Sequence, residues 1–112
     1  MSKIISFKSD KFKKHREGQS RWLLLHCEKC ANPIALYQKD GPGMLKRLYM
    51  DRIIAPKGLS NKNFICKNCN TLLGIQYVYE KENRLAYRLF AGAIGKTIIK
   101  TENLVEIKKT SF

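Results

Sequence analysis

Cys27-Glu28-Lys29-Cys30 and Cys66-Lys67-Asn68-Cys69 hold all four cysteines of the 112-residue chain, and their spacing decides how the rest is read. A C-x-x-C pair suits a tight turn in which both thiolates face one point and backbone N–H groups donate to the sulfurs. Two such knuckles supply four soft ligands, the tetrahedral set preferred by structural zinc. Residues 31–65 separate the pairs, a longer interval than small zinc ribbons use. It leaves room for several strands, so one metal ion would clip together two distant parts of a β-rich domain.

Other uses of four cysteines compete with this reading. Two disulfides need an oxidising compartment. The opening Met1-Ser2-Lys3-Ile4-Ile5-Ser6-Phe7-Lys8 has no apolar signal core, so a cytoplasmic protein is expected. A thioredoxin-like redox motif needs a βαβ setting and only one pair. Iron accepts the same all-thiolate set, and residue types leave it open beside zinc.

The length bounds the chain to one domain, expected over residues 21–107 with a basic arm at 1–20 and a tail at 108–112. Such a domain has a small core and gains from reinforcement. Structural zinc contributes on the order of 10 kcal/mol of apparent binding free energy, which rivals the whole stability of an ordinary domain. The metal-free chain is therefore expected to be largely unfolded or molten.

Lys and Arg number 22 against 9 Asp and Glu, a formal +13. Four thiolates and one Zn²⁺ would bring this to about +11, four negative charges less two positive. An excess spread along the whole chain favours polyanions, RNA or DNA above all, and acidic proteins. No apolar run approaches membrane-spanning length.

Outward from the knuckles, Arg21-Trp22-Leu23-Leu24-Leu25-His26 reads as a buried strand delivering the first pair, with Trp22 in the core. His26 is surplus as a ligand and is expected to make a hydrogen bond beside the site. Ile34-Ala35-Leu36-Tyr37-Gln38-Lys39 reads as a second strand, and Asp40-Gly41-Pro42-Gly43 as a hairpin turn. Residues 44–54 carry a mixed period, read as a strand paired across that turn, with a helix as the alternative. Leu72–Tyr79 and Arg84 to Phe90 form a hairpin in which Ile75, Tyr77 and Tyr79 share one face, as do Leu85, Tyr87 and Leu89, while Gln76, Arg84 and Arg88 point the other way beside Val78 and Phe90. A flexible turn at residues 91–95 and short strands at residues 97–100 and 104–107 complete the pattern.

The second knuckle, the Leu73-Gly74 step four residues on and the aromatic hairpin after it resemble the β-tent zinc domains. That group includes the Yippee-like proteins and the thalidomide-binding domain of cereblon. The resemblance spans about residues 22–100 in outline. It implies two antiparallel sheets pinned by one structural zinc on Cys27, Cys30, Cys66 and Cys69. Ile75 stands where the Yippee-like proteins usually carry tryptophan, and the interval between the knuckles is shorter than theirs. The fold class expected is thus mainly β, a small antiparallel two-sheet domain of β-tent or zinc-ribbon type.

The same scaffold occurs in B-type methionine sulfoxide reductases, which need a nucleophilic cysteine besides the zinc ligands. Here every cysteine is already used. A hydrolytic zinc site would need an open position, usually with His or carboxylate ligands, yet only His15 and His26 exist. No catalytic residue is assigned. The expected function is a non-enzymatic zinc module binding nucleic acid, RNA or single strands before duplex DNA. Distributed cations and stacking candidates Trp22, Tyr37, Tyr49, Tyr77, Tyr87 and Phe90 support it. Phosphate contacts are expected from Lys39, Lys46, Arg47 and Arg52, with Lys13, Lys14 and Arg16 in the arm. The alternative is a protein-interaction adaptor holding a peptide or small ligand in a β-tent groove.

Overall fold

Each knuckle turns a pair of antiparallel strands, so the cysteine spacing is also the connectivity of the two halves. A computed structural model describes residues 6–10 and 19–112. Strand β1 (Ser20–Cys27) runs into the first knuckle and β2 (Pro33–Asp40) returns beside it, Leu24 opposite Leu36. Around the second knuckle, β5 (Asn63–Ile65) pairs with β6 (Leu72–Tyr79). β7 (Arg84–Leu89) then returns along β6 with Tyr77 opposite Ala86. The remaining strands are β3 (Arg47–Tyr49), β4 (Ile53–Ala55) and β8 (Ile94–Ile99). They complete two four-stranded antiparallel sheets, β4-β2-β1-β8 and β3-β7-β6-β5. The mainly β, two-sheet architecture is the one expected.

Alternation along the strands builds the core between the sheets. Leu23, Leu25, Ala35 and Tyr37 of the first sheet are buried with Leu48, Phe64, Leu73 and Tyr87 of the second. Phe64 and Tyr87 stack with centroids 4.9 Å apart, and the Tyr87 hydroxyl donates to the Asn61 carbonyl at 2.6 Å. Cys27 and Cys66 belong to this same buried cluster, so the metal site is the end of the core. The Leu73-Gly74 step has a steric cause. A Cβ at Gly74 would lie 2.6 Å from the carbonyl oxygen of Arg88 on β7, closer than side chains tolerate.

A second, smaller cluster covers the other face of the first sheet. Helix α1 (Leu104–Ser111) lays Leu104 and Ile107 beside Trp22, Leu36 and Ala55. Trp22, 2% exposed, donates its indole N–H to Thr101 Oγ1 at 3.0 Å, and Phe7 stacks on its ring at 4.1 Å. The expected strand at residues 104–107 is thus corrected to the first turn of a helix. Leu104 and Ile107 stand three residues apart, one helical turn, and both reach the same apolar ground only in that geometry. A 3-10 turn over Thr101–Asn103 sets up the change of direction.

Residues 44–54 are corrected as well. They form no hairpin with β2 across the turn at residues 40–43. β3 pairs with β7 in the second sheet, a 3-10 turn follows at Met50–Arg52, and β4 pairs with β2 in the first. The mixed period therefore reflects a chain that stitches one sheet to the other. The flexible turn expected at residues 91–95 is shorter, since β8 begins at Ile94.

Residues 6–10, within the stretch read as an arm, lie against the first sheet. The Lys8 backbone N–H donates to Gln38 Oε1, and the Lys8 carbonyl accepts from Gln38 Nε2. The arm candidates Lys13, Lys14 and Arg16 lie outside the described residues. No helix among the described residues is long and apolar enough to cross a membrane.

Candidate metal centre and basic pocket

The two knuckles are built alike. In the first, Cys27 N–H donates to the Asn32 carbonyl and Ala31 N–H to the Cys27 carbonyl, at 2.9 and 2.7 Å. In the second, Cys66 N–H donates to the Thr71 carbonyl and Asn70 N–H to the Cys66 carbonyl, at 2.9 and 2.8 Å. The residue after each second cysteine is left-handed, Ala31 at φ 65° and Asn70 at φ 63°. Asn tolerates that region far better than Ala, whose Cβ crowds the following carbonyl.

This shared turn brings the sulfurs to one place. Cys27 Sγ lies 3.7 Å from Cys69 Sγ, and Cys30 Sγ 3.6 Å from Cys66 Sγ. All four sulfurs lie within 4.8 Å of one another. A metal about 2.3 Å from each sulfur of a tetrahedron would set them about 3.8 Å apart. The cluster fits that set, and each sheet supplies one knuckle. Donors to the sulfurs favour thiolates. The Thr71 hydroxyl, 3.0 Å from Cys69 Sγ, and then the Thr71 N–H pull the Cys69 thiol down to about 6. The Asn68 side chain and the Asn32 N–H lower Cys30, whereas burial pushes Cys66 up to about 11. His26 contributes no ligand: its Nε2 lies 3.2 Å from Glu28 Oε1. Both side chains occupy the space that a Cβ on Gly95 would need.

The expected phosphate contacts in the body of the domain converge elsewhere. Lys39, Lys46, Arg47 and Arg52 all line one hollow of about 250 Å³, together with Tyr37 and Arg84. Arg52 was expected on the surface but is only 1% exposed. Its Nε donates to Asp40 Oδ2 at 3.0 Å and its Nη2 to Asp10 Oδ1 at 2.6 Å. Burial works against the Asp40 charge, but hydrogen bonds from Gln38, Ser20 and Arg52 hold its carboxyl below the usual carboxylate value. Arg52 Nη1 has no partner among the described residues. Leaving a buried donor unmatched costs roughly 1–3 kcal/mol.

Arg84 is likewise buried, reaching Glu82 Oε1 at 2.8 Å and Asp51 Oδ1 at 2.7 Å. By contrast, Lys46 and Arg47 have no carboxylate partner among the described residues. The flanks of the undescribed stretch 11–18 both end beside this region. Asp10 meets Arg52, and the Gln19 carbonyl accepts from Gly41 N–H at 3.1 Å.

Beyond Arg47 lies the outer face of the second sheet. Strand register sets Arg47, Arg88 and Ile75 in one row, and Tyr49, Ala86 and Tyr77 in the next. Arg84 and Tyr79 form the third. Small Ala86 lets the long side chains fold across it. The Arg47 guanidinium lies 4.0 Å from the centroid of Tyr79 and donates its Nε–H to the Tyr77 hydroxyl at 2.9 Å. Arg84 stacks 3.6 Å from the Tyr49 ring, and Arg88 lies 5.9 Å from that of Tyr77. Sequence reasoning named Arg47 and Tyr77 but set Arg88 with Gln76 on the opposite face. The register corrects this: Arg88 stands opposite Ile75 and so shares the face of Tyr77.

The stacking candidates separate by burial. Tyr37, Tyr49 and Tyr87 are buried, which corrects their reading as platforms, whereas Trp22 lies in the core as expected. Tyr77 and Tyr79 are half-buried and Phe90 is exposed. Residues 44–47 form a ridge between the basic hollow and a wider groove of about 660 Å³, whose far wall includes Leu89, Phe90 and Ile94. No family model, curated protein or solved structure matches the chain.

Proposed function

We propose that this chain is a non-enzymatic zinc module that binds nucleic acid, RNA or single strands in preference to duplex DNA. The observation that carries the reading is convergence. Four cations spaced over residues 39–52 share one hollow, and Arg47 continues from it onto an outer sheet face of alternating Arg and Tyr. Backbone phosphates suit the cations, and unstacked bases suit Tyr77, Tyr79 and Phe90. The zinc would hold the two sheets in register on Cys27, Cys30, Cys66 and Cys69 and take no part in chemistry, since a four-thiolate site leaves no open position.

Binding to labelled random RNA, single-stranded DNA and duplex DNA across a salt series tests this. The expected result is a preference for single strands, with affinity falling linearly in log[salt]. Weak binding, equal for all three and lost near physiological salt, overturns it.

A second reading has its own observation. The groove beside Phe90 is partly apolar, with Met44, Leu45, Leu89 and Ile94 in its walls. That suits an adaptor of β-tent type holding a peptide. Such binding would change little with salt, which separates the two readings.

A further inference from the structure

We infer that the hollow around Arg52 is a binding site for a single phosphate group. It is too small for a drug-sized ligand, whose pockets run to about 300–1,000 Å³, and about 250 Å³ suits one compact anion with its waters. Its wall is strongly cationic. Asp40 is the acidic side chain in it among the described residues, and three donors already hold that carboxylate. Lys46 and Arg47 bring positive charge that no carboxylate among the described residues offsets.

The decisive atom is Arg52 Nη1. Arg52 is held rigidly by Asp40 and Asp10 on its other nitrogens, which leaves Nη1 as a buried donor awaiting an acceptor. Tyr37 strengthens the case: its hydroxyl oxygen accepts from Tyr49 N–H at 2.9 Å, so its own proton remains to be donated. Phosphate has an oxygen for each donor, and Lys46 and Arg47, which line the same hollow, match its charge. The same group reaches the hollow either as free inorganic phosphate or as a phosphate of a nucleic-acid strand. Only the second source rests on the nucleic-acid reading.

The test titrates the full-length, zinc-loaded protein with inorganic phosphate while following its amide resonances, with chloride at matched ionic strength as the control. Saturable binding of one equivalent is expected, with shifts concentrated at Tyr37, Asp40, Tyr49 and Arg52. Replacing Arg52 would also break its pairs with Asp40 and Asp10. The deciding variants are therefore Lys46→Ala and Arg47→Ala, each expected to weaken phosphate about tenfold, the equivalent of one charge-assisted hydrogen bond. Shifts that never saturate, or that chloride reproduces, overturn the inference.

A short RNA with a 5′-phosphate and the same RNA with a 5′-hydroxyl then identify the source. If the phosphorylated strand alone displaces inorganic phosphate, the site takes a strand terminus. If both displace it, the site takes an internal phosphate, and if neither does, the ligand is the free ion. Saturable phosphate without RNA binding keeps the site and removes the nucleic-acid reading. RNA binding without saturable phosphate does the reverse.

Discussion

The outer faces of the two sheets have opposite fates. On the first sheet, Trp22, Leu36 and Ala55 are sealed by Leu104 and Ile107 of α1, with Phe7 stacked on the indole. On the second, Arg47, Arg88, Tyr77 and Tyr79 are covered by no further element among the described residues and solvate one another through cation–π contacts. Strand periodicity is the same on both, so the difference lies in composition. Apolar rows at Trp22, Leu24 and Leu36 must be covered to remain out of water. Arg–Tyr rows gain enough from each other to stay open, and an open face is free to bind.

Removing a metal held by the four sulfurs should abolish the contrast, because each sheet supplies one of the two knuckles that would grip it. Chelation under reducing conditions, or Cys66→Ser, is expected to eliminate the cooperative thermal transition, consistent with a site contributing on the order of 10 kcal/mol. Calorimetry reads this directly, and a retained sharp melt would show that the cluster is dispensable.

The next test separates the faces. Trp22→Ala should destabilise by about 3–5 kcal/mol, the usual cost of deleting a large core aromatic. Tyr77→Ala on the open face should cost about 1 kcal/mol or less, in line with surface substitutions. Denaturant midpoints measure both, and equal losses would mean that the open face is structural.

A smaller effect on stability but a sharper one on binding is expected from Arg47→Ala combined with Arg88→Ala. If each residue meets one phosphate, the slope of log affinity against log[salt] should fall by about 2. The melting temperature should hardly move. An unchanged slope would place the interface elsewhere. Least of all, Ala31→Gly should stabilise the first knuckle by about 0.5–1 kcal/mol by relieving its left-handed backbone. Asn70→Gly in the second knuckle should change little, and the pair of melts compares them.

The sequence was most legible where chemistry and period agreed. The four cysteines, the strands flanking them and the Leu72–Tyr79 hairpin follow from ligand spacing and strict alternation. Residues 104–107 were misread because Leu-Val-Glu-Ile satisfies both periods in so short a run. Only the apolar ground beside Trp22 decides for the helix. Residues 44–54 were obscure for another reason: three residues of strand, a 3-10 turn and three of strand leave no period long enough to detect. Lys39, Lys46, Arg47 and Arg52 could be nominated by charge. That Arg52 is buried between Asp40 and Asp10 depends on partners 12 and 42 residues away, which no local pattern encodes.

The division of the sulfurs between the sheets has a consequence for how the chain is made. Emerging from the ribosome in order, Cys27 and Cys30 appear with their own turn nearly 40 residues before Cys69, the last ligand. For those few seconds of synthesis the first hairpin can offer a metal only half a shell. An ion held there would be enclosed only when the second hairpin arrives. Completion of such a shell would thus mark the moment at which the newly made protein becomes a closed object.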